Sequence, residues 1–332
     1  MRTDSAGRIK LMAGARLWNS VIPAFCLVLV GLITTYAQVP APTPPDDRDS
    51  PVRIKTDLVT LTLTVTDQYG RYVSGLSRNA FTVTDNNRDQ DIVFFSDSDA
   101  PISIGILFDV SGSMSGTKIG KARNALERFI RTSHPNDEYF LIAFNSRAQL
   151  LTDRTRDGDS VLRKLTLVQP KANTALYDAV YLGIERITRG SHQKRALLII
   201  SDGQDNASRY NFNEVRRLMR EADVITYAVG ITDRADAMNA LGMQGQAFLE
   251  ELTSVTGGKA FFPRTDVEMD EIFERIALEL RHQYSVGYIP TDFHPDGKWR
   301  KVKVRVKPPR GLPRLTVRSR EGYYATPNTN YK

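Results

Sequence analysis

Between residues 102 and 281, short apolar runs alternate with longer stretches of helical periodicity. The runs 102–108, 139–144, 196–200 and 224–229 are almost continuously apolar. The intervening stretches 118–131, 175–187, 213–221, 237–255 and 268–281 read as helices. In the last, Ile272, Phe273, Ile276 and Leu280 recur three and four residues apart, the spacing of one helical face. A strand apolar at nearly every position must be covered on both sides, and helices between strands supply that cover. The pattern predicts βαβ units and an α/β fold with a doubly wound, mostly parallel, Rossmann-like sheet.

The flanking segments have a different period. In 56–66, Leu61, Leu63 and Val65 alternate with threonines, and 81–84 and 92–95 read as two more strands. After His282, the stretches 284–289, 301–307 and 315–318 alternate in the same way. Neither flank has enough strands to cover its own apolar face. They are therefore expected to pair with each other as one small β-sandwich, with the α/β domain inserted between its halves. The basic residues Lys301, Lys303, Arg305 and Lys307 alternate with valines, which marks the solvated face of a strand and no nucleic-acid site.

The first 37 residues carry Arg2, Arg8, Lys10 and Arg16 before an apolar run at 21–33, then small residues at Thr35 and Ala37. This is the layout of a secretory signal peptide. The run is short against the roughly 20 residues of a membrane span; an uncleaved N-terminal anchor is the alternative. Loss of 1–37 lowers the formal charge from +7 to +4 and removes Cys26, the sole cysteine. The remainder then has neither disulfides nor a thiolate metal site. The expected organisation is a signal peptide at 1–37, a Pro-rich linker at 38–52, sandwich strands at 53–99 and the α/β domain at 100–282. The second sandwich half follows at 283–325 and a tail at 326–332. The expected location is extracytoplasmic: periplasm, cell envelope or secreted.

Asp109-Val-Ser-Gly-Ser113 follows the first apolar run of the α/β region directly. It offers a carboxylate and two hydroxyls in one turn. Thr174 opens a later helix, and Asp202 ends the run 196–200. In a 3-2-1-4-5 strand order the strands before Asp109 and Asp202 are neighbours, so both acids reach one crevice at the carboxyl edge of the sheet. Oxygen ligands of this kind suit Mg²⁺, Mn²⁺ or Ca²⁺. Taken singly, Ser111, Ser113 and Thr174 also suit helix caps, and Asp202-Gly203 suits a strand-ending turn. Asp178 and Asp205, also close by, suit helix stabilisation.

Asp109-Val-Ser-Gly-Ser113 resembles the D-x-S-x-S signature of von Willebrand factor A domains, with Thr174 and Asp202 at the family's two remaining positions. The resemblance covers about residues 100–282. It implies a metal-ion-dependent adhesion site, with Ser111, Ser113 and Thr174 on the ion and Asp109 and Asp202 supplying charge, often through water. It also implies that a partner's carboxylate completes the coordination. Asp67-Gln-Tyr-Gly70 and Tyr284-Ser-Val-Gly-Tyr288 further resemble segments flanking the A domain in secreted bacterial "VWFA-related" proteins of the acidobacterial type.

Enzyme motifs fail individually. An aspartyl-phosphate enzyme needs an acid two residues after its nucleophile, and Ser111 stands there. Met114 occupies the serine position of a nucleophile elbow. Gly116–Lys121 is one residue short of a phosphate loop, with Ala122 after the lysine. His134, His192, His282 and His294 show no ligand spacing. The expectation is a non-enzymatic, adhesion-type module that holds a protein partner's carboxylate through a divalent cation, without nucleic acid. The alternative is a structural or assembly component of the cell envelope whose metal only stabilises the fold.

Overall fold

The computed structural model describes residues 58–232, 239–309, 311 and 314–326. The expected signal peptide, the linker and residues 327–332 of the tail lie outside the described residues, as does the stretch 233–238 at the expected start of one helix. In chain order the strands are β1 (Val59–Thr66), β2 (Phe81–Asp85), β3 (Arg88–Gln90), β4 (Ile92–Ser96), β5 (Ile102–Asp109), β6 (Glu138–Phe144), β7 (Ala148–Thr155) and β8 (Lys194–Ser201). They continue with β9 (Ile225–Gly230), β10 (Lys259–Phe261), β11 (Tyr284–Tyr288), β12 (Trp299–Val306), β13 (Thr316–Arg318) and β14 (Gly322–Tyr324). The α-helices are α1 (Thr117–Thr132), α2 (Gly158–Thr166), α3 (Leu176–Ile187), α4 (Phe212–Glu221), α5 (Ala240–Val255) and α6 (Asp266–Arg281).

Six strands form the central sheet in the order β10-β9-β8-β5-β6-β7. Every pairing is parallel except β6 with β7. All eight residues of β5 are buried, as are all of β6 and β9. The alternation of the pleat sends them to two cores. Ile104, Ile106 and Phe108 pack with Phe129 of α1, Leu165 of α2 and Phe273 of α6. Leu107 packs on the other face with Val180 of α3, Val215 of α4 and Leu252 of α5. Each such large side chain taken wholly out of water contributes about 2 kcal/mol.

The early and late strands close a sandwich of two four-stranded sheets, β13-β1-β11-β4 and β14-β12-β2-β3. Leu61 of β1 pairs with Val286 of β11, and Val83 of β2 with Val304 of β12. Leu61, Leu63, Val83, Tyr284, Val286 and Tyr288 meet in its core. Both neighbours of β1 come from the late flank. Sequence pairing of the flanks and the observed register therefore agree, because each half presents an apolar face that only the other can cover.

Polar side chains bind the inserted domain to the sandwich. Lys194 at the start of β8 is buried, and its Nζ donates to the carbonyls of Ser98 (2.9 Å) and Gln283 (3.3 Å), one on each crossing between domains. Glu279 of α6 is also buried. Its carboxylate accepts from Thr64 Oγ1 (3.0 Å), Tyr227 Oη (2.8 Å), Tyr72 Oη (3.0 Å) and Arg318.

Candidate metal centre

The crossover connections place β8 beside β5, with Phe108 opposite Ile200. Asp109 and Asp202 thus leave adjacent strand ends at the carboxyl edge of the sheet, where open α/β sheets hold ligands. Both are buried. Asp109 Oδ1 accepts from the Ser111 backbone N–H (2.8 Å), and Oδ2 from Ser201 Oγ (2.6 Å). Asp202 Oδ1 accepts from the Gln204 backbone N–H (3.1 Å). Ser111 and Ser113 bring their hydroxyl oxygens to 3.0 Å of each other.

A third segment joins them. Gly112 N–H donates to the Ala172 carbonyl and Lys171 N–H to the Val110 carbonyl, each at 3.0 Å. Thr174 is buried and tied by its backbone to Asn206: its N–H donates to Asn206 Oδ1 (2.8 Å), and its carbonyl accepts from Asn206 N–H (2.9 Å). Three loops, at 109–113, 171–174 and 202–207, are therefore sewn together by their backbones. All five oxygen-bearing residues expected at the site lie on them.

The hydroxyls are not spent on capping. The N-cap of α1 is Gly116, and neither Ser111 nor any other side chain caps the turn or the helix that follows. Thr174 stands one residue further from α3 than the sequence suggests: the N-cap is Ala175, which makes no side-chain cap. The first turn of α3 is held by Asp205 instead, whose Oδ2 accepts from Tyr177 N–H (3.0 Å) and Ser208 Oγ (2.5 Å). Asp178 accepts from the backbone N–H groups of Arg209 (2.9 Å) and Tyr210 (3.2 Å). Both acids brace the loop after β8 against α3.

Burial pushes the Asp109 carboxyl up to about 7; hydrogen bonds from Ser111 and Ser201 pull it down, and the neighbouring negative charge of Asp202 raises it further. Two buried carboxylates on adjacent strand ends fit a divalent cation, whose charge would relieve their mutual repulsion. Among the described residues no group of three or more His, Cys, Asp or Glu is placed to hold a metal. A cation here would rely on hydroxyl oxygens, a donor set for hard ions and not for thiolate-bound zinc. Ser113 is solvent-exposed, so the loop rim is open to an outside group.

Two contributors escape sequence reading. Ser201 is the terminal residue of a buried strand, and its bond to Asp109 exists only because β8 lies beside β5. Gly245 of α5 lies against the Asp202-Gly203 turn. Gly203 has φ +84°, and a Cβ there would run into the Gly245 carbonyl. Both glycines are thus required for α5 to press on the turn that carries Asp202.

Residues 104–204 match the family model of the von Willebrand factor type A domain. The inter-alpha-trypsin inhibitor heavy chain H4 of Bos taurus is 22% identical over 210 residues, or 58% of this chain and 22% of that protein. The chain spans about a fifth of the length of such curated relatives. A von Willebrand factor type A structure from Catenulispora acidiphila aligns with 82% of this chain and 75% of its own, at 10% identity and a TM-score of 0.44. Proximal thread matrix protein 1 of the mussel byssus, solved with a zinc-occupied MIDAS motif, aligns with 58% of this chain and 48% of its own, at 14% identity and a TM-score of 0.45.

Proposed function

We propose that this chain, whose residues 104–204 match the von Willebrand factor type A model, is an extracytoplasmic, metal-dependent protein-binding module. Asp109, Ser111, Ser113, Thr174 and Asp202 would hold a divalent cation, Mg²⁺ in the first instance and Mn²⁺ or Ca²⁺ as substitutes. The cation would supply one open position for a carboxylate of a protein partner. The observation that carries this reading is the combination of two buried aspartates on adjacent strand ends with hydroxyls that cap no helix and an exposed rim at Ser113. An ion held mainly by neutral oxygens keeps net positive charge and attracts an outside anion.

The sequence of residues 1–37 supports export, and the sandwich would hold the domain away from the point of attachment. Among the described residues no helix is long and apolar enough to cross a membrane. A binding role without turnover is favoured by the placement of the histidines. His134 and His192 precede β6 and β8, at the opposite edge of the parallel sheet from the three loops, and His282 follows α6 and stacks on Tyr72.

Affinity capture from an envelope extract, with the folded chain as bait, tests the reading. A partner retained in Mg²⁺, released by EDTA and absent with Asp109→Ala is the expected result. Retention unaffected by EDTA overturns it. A large fall in melting temperature on chelation, with partner binding unchanged, establishes a purely fold-stabilising ion instead.

A further inference from the structure

Next to the three loops, a cleft of about 490 Å³ opens between α3 and the loops after β6 and β8. Its walls include Arg147, Tyr181, Leu182, Arg209 and Tyr210. The tyrosine rings stack at 3.9 Å between centroids and 6° between planes, forming one rigid aromatic wall. The cleft and the metal centre share their framework. Ala207 N–H donates to the Thr174 carbonyl (3.1 Å), Ala175 N–H to the Asn145 carbonyl (2.7 Å), and Asn173 N–H to Ser146 Oγ (3.3 Å). The loop 202–207 that follows Asp202 thus supplies the cleft's wall at Ala207.

The charges facing the cleft are unequal. The buried Asp178 carboxylate is taken up by two backbone N–H groups and by Arg209 Nε (3.1 Å). Glu185 is paired with Arg189 at 3.0 Å. Arg209 remains 83% exposed beyond its contact with Asp178. Arg147 is exposed and has no carboxylate partner among the described residues. The cleft therefore presents one uncompensated guanidinium and the outer edge of a second, forks that match a carboxylate.

We infer that this cleft is a subsite for a second acidic side chain of the same protein partner, so that the segment recognised is di-acidic: one carboxylate on the ion, another on Arg147 beside the tyrosine wall. The inference rests on the metal-dependent reading above and adds the partner's charge pattern. Surface-immobilised peptide arrays test it, since dense display multiplies weak contacts. One series carries a single aspartate. The others add a second Asp or Glu, or the neutral Asn or Gln, two to eight residues away.

In Mg²⁺, at least one di-acidic spacing should bind about tenfold more tightly than the mono-acidic peptide, about 1.4 kcal/mol, with no gain for Asn or Gln. Arg147→Gln, which removes the guanidinium without adding a negative charge, should erase that gain while mono-acidic peptides are still held at the ion; the side chain is exposed, so the fold is kept. EDTA and Asp109→Ala should remove both signals. An array on which no spacing gains, or on which Arg147→Gln keeps the gain, overturns the subsite. Binding that ignores EDTA overturns the metal reading instead, so the two failures are distinct.

Discussion

With no cation bound, Asp109 holds its carboxyl against its own desolvation. A carboxyl raised to about 7 keeps its proton in the folded chain while the unfolded chain has released it. Between about pH 4 and pH 7 the folded state therefore binds more protons, and stability falls as pH rises. The effect is on the order of a few kcal/mol at its limit. In EDTA, the melting temperature of the chain should fall over this range, and Asp109→Asn should flatten the slope. Added Mg²⁺ should stabilise increasingly as pH rises through 7, because the cation competes with that proton. Parallel slopes for the two proteins in EDTA would remove Asp109 as the cause. At this scale the sequence is explicit where the ligands are contiguous: Asp109, Ser111 and Ser113 stand in one turn. Ser201 is not legible, because a strand-end serine gains its role only from a neighbouring strand.

Among elements, the decisive one is the start of α3, which carries Thr174 into the centre without a cap of its own. Asp205 supplies the missing acceptor from another loop. Asp205→Ala should cost about 1 kcal/mol, the usual value of a lost cap, and should weaken Mg²⁺ binding by loosening the loop around Thr174. Urea denaturation and calorimetric titration check the two effects; unchanged metal affinity would separate the cap from the centre. The buried strands β5, β6, β8 and β9 and five of the helices follow from periodicity alone. β7 does not. It is an edge strand reading Ala-Gln-Leu-Leu-Thr-Asp-Arg-Thr, half exposed throughout, so neither alternation nor a continuous apolar run marks it. Of the four three-residue strands among the described residues, only β13 falls within a stretch read as alternating; β3, β10 and β14 are too short to carry a period, and each exists through its partner strand.

Across the whole molecule, Glu279 is the point where α6, the central sheet and the sandwich meet. Burial and the adjacent Glu279 carboxylate push the phenols of Tyr72 and Tyr227 well above their ordinary range, so both remain donors to it. Glu279→Ala leaves Arg318 and these hydroxyls without their acceptor. The expected loss is about 3 kcal/mol, as for other broken buried pairs, with Glu279→Gln costing less because neutral donors keep an acceptor. Equilibrium denaturation distinguishes the two; equal losses would show that the charge contributes nothing. The insertion of one domain within the other is legible because each flank is an incomplete sandwich, whereas this junction joins side chains more than 200 residues apart that no local pattern links.

The pairing of β1 has a consequence for the order in which the chain can take shape. Leu61 finds its partner at Val286, and Val65 at Val317. During synthesis β1 waits for β11 and β13, while β5 and β6 of the central sheet, far closer in sequence, can pair earlier. Closing so long a loop is slow relative to local folding. The sandwich seals only once β11 and β13 have followed the whole α/β domain, so the apolar face of β1 stays uncovered while that domain is made.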